Sequence, residues 1–544
     1  AALLAAAAAL AASLPGITSL PVTDRDEARF VQASRQMMET GDYVRIMLQD
    51  KPRHKKPAGA YWLQSASVKL LSPHNLNAIW AYRVPSTISV CLAVLLLFWF
   101  STSFFGSHAG LAGALILGTS LIVAVEARLA KADAPLLACV MMAQAVIGLA
   151  YVRSCRSPET RNPVSTWPLF WLACAAGTLI KGPVLPAVVT LTILALAVAD
   201  RKLAWLRLIR PYWGACLYTG AVFPWLIAVQ RATGGAFLRD GFFGDILPKL
   251  LRVQESHGGF PGYYCLTSFA AFWPWSLFSL PALGLLIARR TEPPIRFLLA
   301  WLCPAWILLE FVPTKLPHYT LVLYPALAAA IGVLLSMATK PRAQLSLTSG
   351  FSKTGCARAV LWLAATLLLA AGSGYAPFFF GIANYAAYAA SATALVCCLA
   401  ACVICWLAKE PLPGVSGAAI VFYCAVFAFL LPNLDQLWLS RKIHESLPAL
   451  PGGTTVYAAG YTEPSLIFLL AGKIKFISAA RAAAVLETKQ PVALLVDDKT
   501  KYSLAFSKTG AARQPLSVIH GYNYSRNEWK QLSIYAPGNH AASN

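Results

Sequence analysis

Long apolar segments separated by short polar loops dominate the chain. A window of about 19 residues, the length that crosses roughly 30 Å of hydrocarbon as a helix, selects about thirteen candidate membrane spans. These spans lie near residues 1–20, 80–104, 108–125, 133–151, 166–180, 183–200, 211–229, 265–288, 296–312, 318–337, 359–375, 388–407 and 415–432. The pattern predicts an α-helical multispan membrane protein.

Two stretches interrupt this pattern. Residues 21–79 form a polar first loop whose amphipathic segments predict helices lying at the membrane interface. From about Gln436 onward, the runs TTVYAAGY, SLIFLLAG, KIKFIS and PVALLVDD resemble strands separated by Pro, Gly and Asp turns. We therefore predict a transmembrane domain over 1–433, which includes the long loops 21–79 and 230–264, and a small α/β domain over 434–544.

Composition supports the membrane class and limits the meaning of the charge. Apolar residues make up 58% of the chain and charged residues only 12%, which excludes an ordinary soluble domain. The net charge of +22 is what basic loops between apolar spans produce beside anionic lipid headgroups. Nucleic acid is not an expected partner, because no recognised nucleic-acid-binding motif accompanies the charge.

The distribution of Lys and Arg predicts the orientation, since cytoplasmic loops are enriched in them. One alternating set of loops carries Arg153, Arg156, Arg161, Arg201, Lys202, Arg207, Arg210, Arg289, Arg290, Arg296, Lys340, Arg342, Lys353, Arg358 and Lys409. We interpret that set as cytoplasmic and the other loops and the C-terminal tail as periplasmic. The basic 21–79 loop breaks the rule, but long loops cross membranes largely regardless of charge.

Six polar clusters fall on the predicted periplasmic face, and the first is DRDEARF, residues 24–30. Helical spacing places Asp26, Arg29 and Phe30 on one helix face, where a carboxylate and a guanidinium can meet one polar ligand. The alternative is local: Thr23 and Asp26 resemble a capping box, and acids in a first turn suit the helix dipole.

The second and third clusters precede apolar segments. Basic residues end at Lys55-Lys56-Pro57 just before Tyr61, where anchoring at the interface is the alternative to ligand binding. In EARLAKADAPL, Asp133 is costly within hydrocarbon unless it faces a polar cavity or a partner, which makes it a site candidate. A simple interfacial salt bridge with Arg128 or Lys131 is the alternative.

The remaining clusters lie further along the chain. Lys181 sits in a Lys-Gly-Pro turn between two apolar helices, with snorkelling as the alternative to a site role. The segment 231–264 is a long basic loop in which His257 is either a ligand or simply solvated. The sixth cluster begins a span, and its polar side chains, which can converge at one depth, are Lys315, His318 and Tyr319.

Taken in order, these motifs resemble the aminoarabinose transferases of lipid A. The matching stretches, which cover roughly residues 1–340, are DEARF, the Lys-Pro step before Tyr61-Trp62, ARLAKADAPL, KGP and KLPHYTLVLYPALA. That family shares the C-type membrane glycosyltransferase fold with the dolichyl-phosphate-mannose protein mannosyltransferases. The resemblance implies the same fold here.

The resemblance also implies an activity and a set of site residues. The activity is transfer of a sugar, with inversion, from an undecaprenyl-phosphate carrier to a periplasmic acceptor such as lipid A or another envelope glycolipid. The paired site acids fall on Asp26 and Asp133. The substrate-binding positions that the family motifs imply are Arg29, Lys56, Arg252, Lys315, His318 and Tyr319. The clusters above complete this candidate set with Lys55, Tyr61, Arg128, Lys181 and His257.

One departure from the family pattern bears on the donor. The acid of the family's Glu-Lys-Pro motif is replaced by Lys55, and its second proline by Ala58. An acidic sugar such as a hexuronate would suit Lys55 and Lys56 better than a positively charged amino sugar, which is a hypothesis for a donor comparison.

Chemistry completes the expectations. A phosphate leaving group needs preorganised cations, for which Lys56, Lys181 and Arg252 are the candidates. If the acceptor is a phosphate, which is already anionic, Asp26 mainly orients the sugar or Arg29. If the acceptor is a hydroxyl, Asp26, with Asp133 as second choice, takes its proton. The sequence contains no nucleotide-binding glycine motif. Binding of a divalent metal by acids and His is left as an open alternative. We expect a monomer in the bacterial inner membrane. The rivals are a protein O-glycosyltransferase of the same fold and a lipid-linked sugar transporter or flippase, which should show repeats and broken helices.

Overall fold

Helices make up most of the protein in the computed structural model, which describes residues 1–157, 159, 162–251, 253, 258–338, 353–381, 384–447, 454–486, 492–497 and 515–535. Within these residues the α-helices are Ala2–Ser13, Asp26–Thr40, Gly59–Leu71, Ile79–Phe105, Ser107–Gly118, Leu121–Ala127, Asp133–Arg156, Trp167–Lys181, Val184–Asp200, Pro211–Ala232, Ala236–Gly241, Leu247–Leu251, Tyr263–Ala271, Ser279–Ala288, Pro293–Phe311, Tyr324–Ala338, Lys353–Phe380, Tyr385–Leu407, Pro411–Tyr423, Leu439–Ser446, Pro464–Leu469 and Ala479–Leu486.

The multispan character predicted from the sequence is confirmed. Among the described residues, eight helical segments are long and apolar enough to cross a membrane: Ile79–Phe105, Asp133–Arg156, Pro211–Ala232, Pro293–Phe311, Pro317–Met337, Cys356–Phe380, Tyr385–Leu407 and Pro411–Asn433. The other predicted spans correspond to one bent pair of helices and to shorter apolar helices, which are Ala2–Ser13, Trp167–Lys181, Val184–Asp200 and Trp275–Ala288.

A broken helix, which sequence analysis did not detect, lies inside the membrane domain. Ser107–Gly118 and Leu121–Ala127 meet at an angle of 61°. The backbone freed at the break is satisfied by protein, because Tyr423 Oη donates to the Thr119 carbonyl at 2.8 Å and Leu121 N donates to the Trp273 carbonyl at 2.8 Å. Non-helical backbone at membrane depth is tolerated where protein buries it in this way. The break is therefore a packed joint and not an open ion site.

A buried ion pair ties the first loop to the membrane domain. Arg83 and Glu27 are both buried, and the Arg83 guanidinium donates to the two Glu27 carboxylate oxygens at 2.8 and 2.9 Å. Arg83 also donates to three main-chain carbonyls just after the first helix, those of Ile17, Leu20 and Pro21. Because each remaining donor finds an acceptor, the pair satisfies the condition under which a buried charge is tolerated.

The helix that follows begins differently from the capping box considered for Thr23 and Asp26. Arg25 is the residue before the helix, with φ of 66°, and its side chain makes no cap. The Thr23 amide and hydroxyl instead donate to Glu27 at 2.8 and 2.9 Å. Glu27 serves as the local acceptor, so the Asp26 side chain is not used as a cap.

The C-terminal part forms a five-stranded mixed sheet. Its strands, in spatial order, are Ile474–Phe476, Thr455–Ala459, Val492–Asp497, Glu528–Tyr535 and Ser517–Asn523. Three of the four strand-like runs named above contain strands, but the strand prediction for SLIFLLAG is wrong, because this run lies largely within the helix Pro464–Leu469. Proline favours the first helical turn, and Pro464 supplies that start.

Three helix ends meet around Asp200. Tyr151 donates to Asp200 at 2.5 Å, and Arg296 also contacts Asp200. These three residues belong to the ends of three different helices. The assignment of the adjoining loops to the cytoplasmic side stays a prediction.

The buried pair gives a stability prediction. Replacing Arg83 by Met leaves the Glu27 carboxylate buried without its partner, so we expect the free energy of unfolding to fall by about 3–5 kcal/mol. The matched control is Arg289→Met, which removes the partner of Glu292 from a pair whose side chains are 37% and 44% exposed; that change should cost at most about 1 kcal/mol. Thermal unfolding of both variants in the same detergent measures the difference, and equal shifts would contradict the assigned role of Arg83.

Candidate active site

The centre of the site is Asp133, at the start of a buried membrane helix. Its carboxylate forms a salt bridge with Lys181, and His318 Nε2 lies 3.8 Å and Lys131 Nζ 3.9 Å from it. The three partners come from a helix end, a span start and a loop, so Asp133 joins three separate parts of the chain. An unpaired carboxylate at this position would be costly, and the ammonium groups of Lys181 and Lys131 compensate the charge of Asp133.

Local backbone geometry explains why Lys181 reaches Asp133. The helix Trp167–Lys181 packs against Asp133–Arg156, so the end of one lies beside the start of the other. Gly182 then turns the chain with φ of 68°, a conformation that favours glycine. The Lys-Gly-Pro motif thus holds an ammonium at the end of a span.

Asp26 belongs to the same electrostatic group. Its side chain is 55% exposed, and its Oδ1 lies 3.9 Å from Arg29 Nη1. Burial of its surroundings alone would raise the pKa of Asp26, but the charges of Lys131 and Arg53 outweigh this effect and lower the pKa. Asp26 therefore stays ionised, and it remains accessible to a ligand.

Lys131 connects the acids of this group. Its ammonium donates to Glu126 at 2.9 Å and lies near Asp133. Burial alone would lower the pKa of Lys131, but the carboxylates of Glu126 and Asp133 raise it. Lys131 is consequently a permanent positive charge between the two candidate site acids, Asp26 and Asp133.

A second group, made of lysines, adjoins the first. Lys56 Nζ lies 3.9 Å from Asp245, and Lys249 donates to the same carboxylate at 2.6 Å. Burial, followed by repulsion from Lys181 and Lys249, lowers the pKa of Lys56 to about 8. Three ammonium groups therefore act on one another here, with Asp245 and Asp133 as the nearest compensating charges.

A layer of packed side chains supports the cationic loop. Arg53 Nε donates to Tyr61 Oη at 3.2 Å, and the Arg53 guanidinium lies 5.7 Å from the centre of the Phe30 ring. Phe30 and Tyr61 stack with ring centres 4.9 Å apart. Tyr61 is fully buried and holds Arg53 in place, and its predicted role in direct substrate binding stays a prediction.

Arg128 contacts the end of the first helix. This side chain is fully buried, donates to the Ala12 carbonyl at 2.5 Å and to the Pro15 carbonyl at 3.1 Å, and lies 3.8 Å over the Phe427 ring. Its Nη1 atom is buried without a hydrogen-bond partner among the described residues, and its predicted role in substrate binding stays a prediction. A buried cation at a span end satisfies helix carbonyls as readily as a ligand.

Lys315 likewise contacts main-chain carbonyls, and its predicted role in substrate binding stays a prediction. It is 3% exposed, and its ammonium donates to the carbonyls of Leu309, Glu310 and Val312 at 3.3, 2.6 and 2.8 Å. An ammonium has three protons, and these three contacts use all of them. Lys315 therefore ends the preceding helix, and a phosphate would have to displace carbonyls to bind it.

Three of the remaining candidates lie close to these charged groups, and two lie outside the described residues. His318 lies beside Asp133, and the Tyr319 ring lies 5.7 Å from the Lys181 ammonium. Lys55 is exposed next to the lysine group. Arg252 and His257 lie outside the described residues. Within the residues that the structure describes, no three His, Cys, Asp or Glu side chains gather as a metal site.

This geometry has a defined chemical capacity. Lys56, Lys181 and Lys249 offer a concentration of positive charge suited to a phosphate, whose charge they would meet without reorganisation. Asp26 and Asp133 add carboxylates at the edge of that field. The arrangement suits a reaction in which a phosphate is the leaving group: the lysines would bind the phosphate, and the carboxylates would hold the polar molecule from which it departs.

Proteins similar to this chain are named as transferases of sugars linked to lipid phosphates. The family described as dolichyl-phosphate-mannose-protein mannosyltransferase matches residues 55–227. The undecaprenyl phosphate-alpha-4-amino-4-deoxy-L-arabinose arabinosyl transferases of Pectobacterium carotovorum and Pectobacterium atrosepticum are each 27% identical to this chain over 313 and 316 residues. This chain resembles the aminoarabinose transferases. The matches cover 57% of the chain and 54% of each relative, so the chain spans about half the length of the curated relatives it matches.

Solved structures establish the fold. ArnT from Cupriavidus metallidurans, in a crystal structure with undecaprenyl phosphate, matches with a TM-score of 0.75 at 17% identity, over 99% of this chain and 98% of that one. The apo oligosaccharyltransferase of Archaeoglobus fulgidus matches with a TM-score of 0.55 at 11% identity, over 91% and 69%. The predicted resemblance to aminoarabinose transferases, and with it the C-type membrane fold, is confirmed.

Proposed function

We propose that this protein is an integral membrane glycosyltransferase that moves a sugar, with inversion, from an undecaprenyl-phosphate carrier to a periplasmic acceptor. Lipid A, or another envelope glycolipid, is the acceptor we favour. The observation that carries the proposal is the meeting of Lys56, Lys181 and Lys249 beside Asp133 and Asp26. The similarity to arabinosyl transferases supports the same reaction.

The lysines would stabilise the departing carrier phosphate. As the bond between the anomeric carbon and the phosphate oxygen breaks, negative charge grows on that oxygen, and preorganised cations lower the energy of this state. Lys56 is the first candidate, because burial, followed by repulsion from Lys181 and Lys249, lowers its pKa to about 8. A bound phosphate would relieve that repulsion, which makes the phosphate the missing counter-charge.

The acids point to the class of acceptor. A general base works best with a pKa near the working pH, whereas the pKa of Asp26 is lowered by Lys131 and Arg53. Such a carboxylate is a weak base but a stable anion that can orient the sugar or Arg29. This favours an acceptor that is already anionic, such as a lipid A phosphate, over the hydroxyl used by a protein O-glycosyltransferase.

The finer topology belongs to the same proposal. We propose about thirteen spans in the bacterial inner membrane, with the site and the sheet on the periplasmic side. The helices Asp26–Thr40 and Gly59–Leu71 would lie at the interface, residues 1–433 would form the transmembrane domain, and 434–544 the periplasmic one. The carrier's isoprenoid tail would lie between spans while its phosphate reaches the lysines.

Asp26 provides the first test. We expect Asp26→Asn to reduce sugar transfer by about 10²-fold, because the amide keeps the shape of the side chain but loses the charge that orients the sugar or Arg29. Transfer to lipid A is measured in membranes by mass spectrometry, with the melting temperature as a check on folding. The control is Glu292→Gln, at an acid that is 44% exposed and pairs with Arg289 outside this group. Wild-type transfer by Asp26→Asn would refute the assignment.

Lys56 gives a prediction of pH dependence. Its pKa of about 8 means that it is charged below that pH and neutral above it. The affinity for undecaprenyl phosphate should therefore fall as the pH rises through about 8 in the wild-type protein. Lys56→Arg keeps its charge and should bind with a flatter profile. Calorimetric titration of both proteins over this range measures the effect, and identical profiles would exclude Lys56 as the phosphate ligand.

Lys55 bears on the donor sugar. We propose an acidic sugar, because an exposed ammonium stands where the family motif has a carboxylate. Wild-type turnover should be faster with a hexuronate donor than with an aminoarabinose donor, and Lys55→Glu should reverse part of that preference. Lys51→Glu, the same charge change at an exposed residue nearby, is the control. A preference unaffected by Lys55→Glu, or equally affected by Lys51→Glu, would contradict the proposal.

A further inference from the structure

The edge of the C-terminal sheet carries side chains that are unusual for a solvent-facing strand. Ser517–Asn523 is the edge strand, and along it the buried side chains Ile519 and Asn523 alternate with outward-facing ones. The outward set includes Val518, 43% exposed, while Leu516 just before the strand is 48% exposed. An alternating strand with one solvated face would carry polar residues at such positions.

The neighbouring strand extends this apolar surface. Trp529 is 50% exposed and pairs directly with Tyr522, and the two ring centres lie 5.4 Å apart. The side chains that share this face at the edge are Leu516, Val518, His520, Tyr522, Trp529 and Gln531. None of these six is Asp, Glu, Lys or Arg. Exposed apolar patches of this kind mark surfaces that contact a partner or a membrane.

The surface is continuous with the end of a membrane span. Phe380 is the last residue of the candidate span Cys356–Phe380, and its ring lies 5.2 Å from Tyr522 and 6.2 Å from Trp529. Phe379 also contacts Trp529, at 5.7 Å. These contacts place the sheet edge beside the C-terminal end of that candidate span.

Exposed aromatic side chains also lie near the C-terminal end of this candidate span and at the start of the next one. Phe378 is 71% exposed, Tyr375 64%, and Tyr385, which starts the next span, 89%. Tyrosine and tryptophan are enriched where a membrane protein crosses the boundary between hydrocarbon and headgroups. Exposed aromatic rings gathered on a span end and on the neighbouring sheet edge are not expected where a surface faces only water.

We propose that this edge of the sheet, formed by Leu516, Val518, Tyr522 and Trp529, is seated in the membrane leaflet beside the end of the Lys353–Phe380 helix. Its partner is bilayer lipid at the boundary between acyl chains and headgroups. Trp529 and Tyr522 supply amphipathic rings, and Leu516 and Val518 supply apolar contact. The C-terminal domain is thus a membrane-seated domain and not one suspended in the aqueous phase.

The proposal is independent of the sugar-transfer reaction and is tested on the full-length protein in a phospholipid nanodisc. A diazirine-bearing amino acid replaces Val518 in one variant and Lys475 in the other. Lys475 is exposed on Ile474–Phe476, the opposite edge strand of the same sheet, and is the matched control. After illumination, intact-protein mass spectrometry measures the yield of phospholipid adducts.

We expect the lipid adduct at position 518 to exceed that at position 475 several-fold, with unchanged melting temperatures in both variants. Equal or lower yield at position 518 would overturn the proposal. Adducts from position 518 to a second copy of the chain, or to another part of the same chain, would overturn it as well, because either result would show that protein covers the edge.

Discussion

The buried pair between Glu27 and Arg83 is the interaction on which the site depends. Arg83 holds the Ile17–Pro21 turn through three carbonyls, and Glu27 accepts the amide of Ala130 at 2.9 Å. The pair therefore joins the first loop to the turn that leads into Asp133. Asp26 precedes Glu27 in sequence, so both candidate site acids are positioned from one ion pair. The strength of that pair comes from burial, where no water competes for its hydrogen bonds.

Charge at a span end has two uses in this protein, and the difference lies in what completes its hydrogen bonds. Arg128 and Lys315 donate to main-chain carbonyls at helix ends, and these contacts use all three protons of the Lys315 ammonium. Lys56 lies 3.9 Å from Asp245 but is buried close to the ammonium groups of Lys181 and Lys249, and a bound anion would relieve that repulsion. In the candidate site, three lysines therefore share two carboxylates, those of Asp133 and Asp245, which leaves an excess of positive charge.

The same difference explains what could be predicted from the sequence. Asp133 and Lys181 were identifiable because a charge beside an apolar span is costly and needs a partner. The carbonyl contacts of Arg128 and Lys315 were not, because a sequence does not show whether an amine meets a ligand or a carbonyl. Arg53, Lys131 and Lys249 lie in the polar clusters noted at the outset but were not selected, since their importance arises from long-range contacts. The broken helix likewise depends on tertiary packing, whereas the helix at Pro464 had a local signal in its proline, which favours a first helical turn.

The C-terminal domain is linked to the site through the residues just before Asp26. Tyr524 Oη accepts the amide of Asp24 at 2.6 Å, and Arg25 Nη2 donates to the Ser525 carbonyl at 2.7 Å. Arg25 has a φ of 66°, a conformation that costs energy outside glycine and persists where contacts enforce it. These contacts lie next to the edge strand whose aromatic rings meet the span end at Phe380. A sheet seated in the leaflet would therefore set the depth of the helix that begins at Asp26, and so align this acid with a headgroup whose depth the same leaflet fixes.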